Sequence, residues 1–280
     1  MHDGLTSIAA LHDLVSEGSV RFLEDYAKRS EEPGDHRRAP KPADIAIVGI
    51  ATLLPGSETL EAYWRRILAG DSAIREIPPD RWSLTGYFSK DPAERDMIYS
   101  MRGGFLPDIV FNPLDYGIPP STIPSIDPMQ LLALEVVSDA MKDASLGGEF
   151  AIDRERTSVV LGFSGGLGET GAQYATRSEL KRLMGDVPEE MLARLPEWTE
   201  DSFSGLLPNV AAGRVANRLD LGGFNQTVDA ACASSLAALY LAVQELESGR
   251  SDAVIAGGVD TLQSPFGYLC FAKTKALSPR

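Results

Sequence analysis

Cys232 is one of two cysteines in the 280-residue chain, and it stands where a strand pattern changes to a helix pattern. Thr227 and Val228 before it favour a β-strand, and the small residues that follow permit a sharp turn. At a helix start, unpaired N–H groups and the positive end of the helix dipole favour a thiolate. A backbone N–H on such a turn can also stabilise a developing oxyanion. The pattern therefore favours a nucleophilic thiol, and the alternative is a small buried cysteine at a strand-to-helix junction.

The helix predicted after Cys232 carries its apolar residues on one face, namely Leu236, Leu239, Tyr240, Val243 and Leu246. Ser234 or Ser235 can cap the start of this helix, and Gly249 can end it. Residues 225–249 are therefore expected to form a strand, a turn that holds the cysteine, and an amphipathic helix. The rest of the chain can be placed relative to this unit.

Apolar runs of strand length predict the sheet that positions this turn. They lie at 44–51, 157–162 and 252–259. Runs without polar alternation are typical of strands buried on both faces, as in parallel or mixed sheets covered by helices. Helices are expected at 127–144, with Asp127 as cap and Pro128 in first position, and at 207–219. The expected fold class is α/β, built in layers.

Residues 1–43 differ from the rest of the chain. A helical pattern from 5 to 30 weakens near Gly18, which predicts one broken helix or two short ones, and 31–43 has the composition of a linker. The main domain is expected at 44–280. Within it, 77–124 shows no sustained period of either kind, and such a stretch in a compact domain is usually functional or an interface.

Two glycine-rich motifs compete with the cysteine as functional sites. Residues 162–166, GFSGG, match the G-x-S-x-G turn of α/β-hydrolases, but that fold needs a histidine after the serine. The histidines are His2, His12 and His36. Residues 166–171, GLGETG, match the dinucleotide motif G-x-G-x-x-G, but the second strand that should follow and end in an acid is not apparent. A glycine-rich loop between packed layers explains both motifs better.

Composition argues against several function classes. The net charge of −14 disfavours a nucleic-acid surface, and no apolar run reaches the roughly eighteen residues of a membrane span. Two cysteines indicate no disulfide framework, and no Cys or His cluster has the spacing of metal ligands. Cys270 lies in an apolar stretch and is expected to pack. The N-terminus lacks a signal-peptide pattern, so we expect a cytoplasmic protein.

The residues around Cys232 resemble the nucleophile segment of β-ketoacyl synthases, the condensing enzymes of fatty-acid and polyketide assembly. The commoner wording of that segment is D-T-A-C-S-S-S-L, and this chain has DAACASSL at 229–236, with Ala230 and Ala233 in place of a Thr and a Ser. This variant is similar to iterative synthases of the polyunsaturated-fatty-acid type.

Further segments resemble the same family in order and spacing, namely PDRW at 79–82, RGGFL at 102–106 and FNPLDYGI at 111–118. One segment departs from it. Residues 127–135, DPMQLLALE, lack the arginine of the usual D-P-Q-Q-R-L-L-L-E, which weakens a place in the ordinary modular polyketide branch.

The resemblance covers about 44–280 and implies the N-terminal half of a layered thiolase-like fold, with an N-terminal helical extension. It implies a homodimer built around the strand before Cys232, and Cys232 as the nucleophile that carries the acyl group. The acyl group condenses with a malonyl unit that loses carbon dioxide. The substrates are held on the phosphopantetheine of an acyl carrier protein, and the domain is expected to bind no cofactor or metal of its own.

The family's two histidines and supporting lysine would lie beyond residue 280. The resemblance therefore implies that the C-terminal ketosynthase half is missing from this chain, as in a truncated piece or a split gene product. The alternative is a non-catalytic thiolase-like partner subunit or an inactive fragment. Retention of Cys232 counts against this alternative, because inactive partners in the family often lose that residue. The absence of any histidine after His36 counts for it.

Overall fold

A computed structural model describes residues 7–30, 44–145, 152–164, 168–261 and 263–278. The chain divides into two compact units, Met1–Asp44 and Ile45–Arg280. In the first unit, α1 (Ile8–Ser30) is one continuous helix, so the break predicted near Gly18 is wrong. A single glycine inside a helix costs only about 1 kcal/mol, and Glu17 and Arg21 form an ion pair of 3.0 Å across it.

The second unit contains the remaining helices and all the strands of the described residues. Its helices are α2 (Leu60–Ala69), α3 (Pro128–Ser145), α4 (Gly168–Met184), α5 (Glu189–Leu192), α6 (Ser202–Leu206), α7 (Pro208–Arg218), α8 (Ser234–Glu247) and α9 (Pro265–Lys273). Its strands are β1 (Ile74–Glu76), β2 (Arg102–Gly104), β3 (Thr157–Phe163), β4 (Asn225–Val228) and β5 (Ala253–Val259). The helices predicted at 127–144 and 207–219 are confirmed as α3 and α7.

The central sheet has three parallel strands in the order β4-β3-β5. All seven residues of β3 are buried, and the strands predicted at 157–162 and 252–259 are confirmed. Leu161 lies opposite Thr227 on one side and opposite Gly257 on the other. Because the strands are parallel, their C-terminal ends meet at one edge of the sheet, and β4 leads from that edge towards Cys232.

Alternate residues of β3 face different helical layers. Val159, Leu161 and Phe163 belong to a core that they share with residues of α3 and α7. Gly162 faces the opposite side, where it lies directly under the backbone at the start of α8. Since side chains alternate along a strand, α3 and α7 cover one face of the sheet and α8 covers the other. The domain is therefore α/β and layered, as predicted.

The apolar face predicted on α8 is exposed over the first half of the helix. The residues that α8 buries are Ser234, Ala238, Ala242 and Glu245. Leu236, Leu239 and Tyr240 are 70%, 50% and 64% exposed. The helix lies close to the sheet on its small side chains, and these three large ones are left exposed in this structure, whereas Val243 and Leu246 of the predicted face are half-buried.

The apolar run at 44–51 does not form a strand, so this prediction is wrong. The segment joins no strand ladder of the described residues, and its four Ile and Val side chains are between 37% and 76% exposed. It lies against α3 instead. The N–H of Ile50 donates to Asp143 Oδ2 at 2.9 Å, and a Cβ on Gly49 would lie 2.8 Å from that of Ala144. An apolar run indicates a need for burial, but a strand also needs a neighbour to pair with.

The irregular stretch predicted at 77–124 packs against α9. A second core joins Ile77, Ile98 and Phe105 of this stretch to Tyr268 and Ala272 of α9. Trp82 Nε1 also donates to the backbone oxygen of Gln263 at 2.8 Å. Cys270 lies two residues from each of the buried residues of α9 and is exposed, so the expectation that it packs is wrong. A position two residues from a buried one points to the other side of a helix.

Candidate active site at the turn of Cys232

Cys232 lies in the connection between β4 and α8. β4 ends at Val228, a single 3-10 turn spans Ala231–Ala233, and α8 begins at Ser234. The predicted position beside a helix N-terminus is confirmed. Cys232 is a free and exposed thiol, which contradicts the alternative of a small buried cysteine. Its side chain is thus accessible to a reagent or substrate that approaches the C-terminal edge of the sheet.

Hydrogen bonds hold this turn on both sides of Ala231. The N–H of Ala231 donates to Asp229 Oδ1 at 2.9 Å, and its carbonyl oxygen accepts from Ser234 Oγ at 2.7 Å. The same Ser234 oxygen accepts the N–H of Ala230 at 2.9 Å. Ala231 has a φ of 50°, in the left-handed region that L-residues other than glycine seldom adopt. The residue before the thiol is therefore strained and tied to its neighbours.

Neither Ser234 nor Ser235 caps α8, so the predicted cap is wrong. The N-cap position belongs to Ala233, which offers no side-chain acceptor to the first turn of the helix. The hydroxyl of Ser234 is turned back towards the residues before Cys232. Because the cap side chain does not compete for the first N–H groups, the positive end of the helix dipole is left beside Cys232.

Two glycines allow the start of α8 to lie directly on the sheet. A Cβ on Gly162 would lie 2.5 Å from the carbonyl carbon of Ser234 and 2.7 Å from the nitrogen of Ser235. A Cβ on Gly258, the partner of Gly162 across the β3–β5 ladder, would lie 2.8 Å from the Cβ of Ser235. Sequence reasoning missed this role. The signal was present, because glycine inside a strand often marks the close approach of another backbone.

The glycine-rich loop after β3 is anchored to α3 where its residues are described. Asp127 Oδ1 accepts the N–H of Met129 at 3.0 Å, and Asp127 Oδ2 accepts the N–H of Thr170 at 3.1 Å. One carboxylate thus holds the first turns of α3 and α4 together, and its burial raises the pKa of Asp127. Residues 165–167, which belong to the competing motifs, lie outside the described residues. In 168–224, which is fully described, the regular elements are helices, so the second strand of a dinucleotide site is absent there.

No group of three His, Cys, Asp or Glu side chains in the described part of the chain is arranged to hold a metal ion. His12 is an exposed residue of α1, whereas His2 and His36 lie outside the described residues. Among the helices that are described, none combines the length and apolar character needed to cross a membrane.

Residues 43–280 match the family model described as beta-ketoacyl synthase, N-terminal domain. The chain belongs to the β-ketoacyl synthase family, as the resemblance of its motifs indicated.

Known relatives include very large synthases. A polyunsaturated fatty acid synthase protein of Thraustochytrium sp. is 35% identical over 249 residues, which cover 84% of this chain and 9% of that protein. Pikromycin polyketide synthase component PikAII of Streptomyces venezuelae is 37% identical over 238 residues, which cover 84% of this chain and 6% of that protein. This chain therefore spans less than a tenth of the length of these relatives.

Solved structures show the same fold. The oxazolomycin ketosynthase domain OzmH KS7 of Streptomyces albus JA3453 matches with a TM-score of 0.64 and 28% identity, over 83% of this chain and 37% of that chain. The ketosynthase from module 6 of the bacillaene synthase of Bacillus subtilis 168 matches with a TM-score of 0.63 and 28% identity, over 84% and 35%. The fold is thiolase-like and covers the N-terminal domain, which confirms the predicted fold class.

Proposed function

We propose that Cys232 is the acyl-carrying nucleophile of a ketosynthase, and that 44–280 is its N-terminal domain, with 1–43 as a helical extension and linker. The observation that carries the proposal is an exposed thiol on a fixed turn at the start of α8. A thiolate at a helix start and a neighbouring backbone N–H are the two groups that acyl capture requires.

The proposed reaction has two stages. In the first, the Cys232 sulfur forms a bond to the acyl carbonyl carbon, and the thiol of the phosphopantetheine on an acyl carrier protein leaves with a proton. In the second, a malonyl unit on the carrier loses carbon dioxide. The electron pair left on its carbon attacks the acyl carbonyl and releases the Cys232 thiolate. The domain itself contributes no bound cofactor to these steps.

The second stage also needs donors that polarise the malonyl thioester, and no histidine follows His36 in this chain. We therefore propose that a C-terminal ketosynthase half supplies them. Three surfaces in the second unit support such a partner: the outer edge of β5, which pairs with no described strand, the apolar segment at 44–51, and the outward face of α8.

A homodimer is proposed through the free edge of β4, which is an edge strand of the sheet. A groove of about 430 Å³ runs beside this strand, lined in part by Phe224, Gln226 and Leu241. Unpaired strand edges are ready sites for pairing with another chain. The protein is further proposed to act in the cytoplasm, where a reduced thiol is maintained.

A second candidate function is a non-catalytic partner subunit, which the lack of histidines after His36 favours. The two candidates differ in whether Cys232 takes up an acyl group.

The experiment that separates them uses the chain mixed with a separately produced C-terminal ketosynthase half. A synthetic acyl thioester is added, and the mass of the chain is measured. Malonyl-carrier is then added and carbon dioxide is collected.

We expect an acyl adduct on Cys232 and carbon dioxide release only in the mixture. Cys232→Ala should abolish both while the fold is retained, because removing an exposed sulfur leaves no cavity. Cys270→Ala is the matched control, since it removes the other exposed thiol and should change neither. Condensation that persists in Cys232→Ala would make the cysteine structural and favour the second candidate.

A further inference from the structure

The residue before Cys232 is held in a backbone conformation that alanine rarely adopts. In the described part of the chain, a positive φ outside glycine occurs at Asp96, Asp220, Ala231 and Lys275. Aspartate tolerates this region because its short polar side chain can hydrogen-bond locally. Alanine has no such group, so the surroundings of Ala231 must impose its φ of 50°.

Asp229 and Ser234, which we call the clip, provide those surroundings. The Asp229 carboxylate accepts the N–H of Ala231 and the Ser234 hydroxyl donates to its carbonyl oxygen, so both of its backbone polar atoms are bonded to side chains. Ser234 is buried. No residue between Asp229 and Ser234 carries a hydroxyl group, since alanine stands at 230 and 233. Within this segment, Ser234 alone can donate such a hydrogen bond.

We propose that the clip is a positioning device that keeps Ala231 in the left-handed region and thereby delivers the thiol of Cys232 to the start of α8. The inference rests on the proposed function, in which that thiol is the nucleophile. The start of the helix is packed tightly on the sheet, because a Cβ on Gly162 would lie only 2.5 Å and 2.7 Å from backbone atoms of Ser234 and Ser235. If Ala231 relaxed to an ordinary φ, the turn and not the helix would move, and the thiol would leave the positive end of the dipole.

Glycine provides a sharp test, because it adopts a positive φ without strain and would not need the clip. In the full chain, the rate of alkylation of Cys232 is measured against that of Cys270 in the same sample by peptide mapping. Ser234→Ala should lower the ratio of the two rates about five-fold, the size of effect that the loss of one hydrogen bond produces. Adding Ala231→Gly to that variant should restore most of the ratio.

Ser235→Ala is the matched control, since it removes the neighbouring hydroxyl, which takes no part in the clip, and should leave the ratio unchanged. Ser234→Thr keeps the hydroxyl and should also retain the ratio. If Ser234→Ala does not fold, Asp229→Ala and Asp229→Asn replace it, because asparagine keeps the acceptor oxygen and alanine does not. Asp229→Ala should then lower the ratio, and Asp229→Asn should lower it less.

An unchanged ratio in Ser234→Ala overturns the inference. A lowered ratio that Ala231→Gly does not restore also overturns it, because Ser234 would then act by a route other than the conformation of Ala231. Alkylation uses neither carrier nor partner half, so the two proposals fail separately. If the ratios follow the expected order while the parent chain, mixed with the C-terminal half, captures no acyl group, the clip stands and the proposed function fails.

Discussion

At the scale of single residues, the two cysteines are both exposed but lie near opposite ends of their helices. Because a reagent can reach both thiols, their relative reactivity depends on the electrostatic surroundings of each. Cys232 lies beside the N-terminus of α8, whereas Cys270 lies in the second half of α9, towards the negative end of its dipole. A thiolate is stabilised beside a helix N-terminus and destabilised near a helix C-terminus.

We therefore expect iodoacetamide near neutral pH to label Cys232 roughly ten-fold faster than Cys270. Peptide mapping of one partly labelled sample gives both rates. Ser248→Ala, a change at the far end of α8, serves as a control and should leave the ratio as it is. Labelling of Cys270 first, or of both thiols at the rate of a free cysteine, would contradict the activation of the Cys232 thiol.

The sequence allowed the position of Cys232 to be predicted, but not its exposure. The change from β-forming residues to a helical period locates the turn, because both patterns are local. The small residues around the thiol are compatible with burial as well as with a turn, so exposure depends on the packing of distant elements. Ser234 was expected to cap α8 because serine commonly does so. Its actual bonds depend on the φ of Ala231, which residue propensities do not specify.

At the scale of elements, the contact between α8 and the sheet shows what a hydrophobic pattern specifies. The pattern identified the apolar face of α8 correctly, but Leu236 and Tyr240 on that face point away from the sheet. The helix instead lies against Gly162 and Gly258, which permit a backbone approach that larger residues would block. A pattern specifies which residues share a face, whereas the partner of that face depends on the whole fold.

The glycines under α8 give a stability prediction. Gly162→Ala should lower the free energy of unfolding by about 2 kcal/mol, because the new Cβ must push the start of α8 off the sheet. Gly257→Ala is the matched control: Gly257 lies opposite Leu161 in the same sheet, and a Cβ there meets nothing within 4 Å. Its effect should stay within about 0.5 kcal/mol. Equal urea midpoints for the two variants would contradict the close contact between Gly162 and the start of α8.

The C-terminal end of α8 is tied to β3 through a buried carboxylate. Glu245 is 4% exposed; its Oε2 accepts from Arg250 Nε at 2.9 Å, and its Oε1 accepts from Ser251 Oγ at 3.0 Å. The Ser251 hydroxyl lies 2.7 Å from that of Ser158 in β3. The hydrogen bond from Arg250 lowers the pKa of Glu245 below its ordinary value. A lowered pKa means that the ionised carboxylate stabilises the fold above the unfolded pKa and that this contribution is lost as the pH falls.

Glu245→Gln should therefore be less stable than the parent chain at pH 7, and the difference should shrink as the pH falls below roughly 4, the ordinary range of a glutamate. Urea unfolding of both proteins at several pH values measures this difference. Glu247→Gln, at an exposed position of the same helix, should show little difference at any pH. If Glu245→Gln is less stable than the parent chain by the same amount at every pH, the shape of the side chain, and not its charge, matters at this position.

At the scale of the molecule, the second unit exposes apolar surface that a layered fold ordinarily covers. The outward face of α8 and the segment 44–51 are both apolar, and the outer edge of β5 pairs with no strand of the described residues. The run at 44–51 was predicted to be a strand because it has the composition of one. It has no neighbouring strand to pair with in the described residues, so a segment with the composition of a strand does not form one.

The exposed face of α8 leads to the last prediction. Burying a leucine side chain contributes roughly 2 kcal/mol, so uncovered leucines favour association of the chain with itself or with a partner half. We expect residues 44–280 to self-associate in size-exclusion chromatography and a separately produced C-terminal half to reduce this. Leu236→Gln should weaken the self-association. Leu183→Gln is the matched control, because Leu183 lies on α4 and is 70% exposed, as Leu236 is. A monodisperse monomer with one sharp unfolding transition, unaffected by either change, would mean that the domain is self-sufficient and that α8 needs no covering layer.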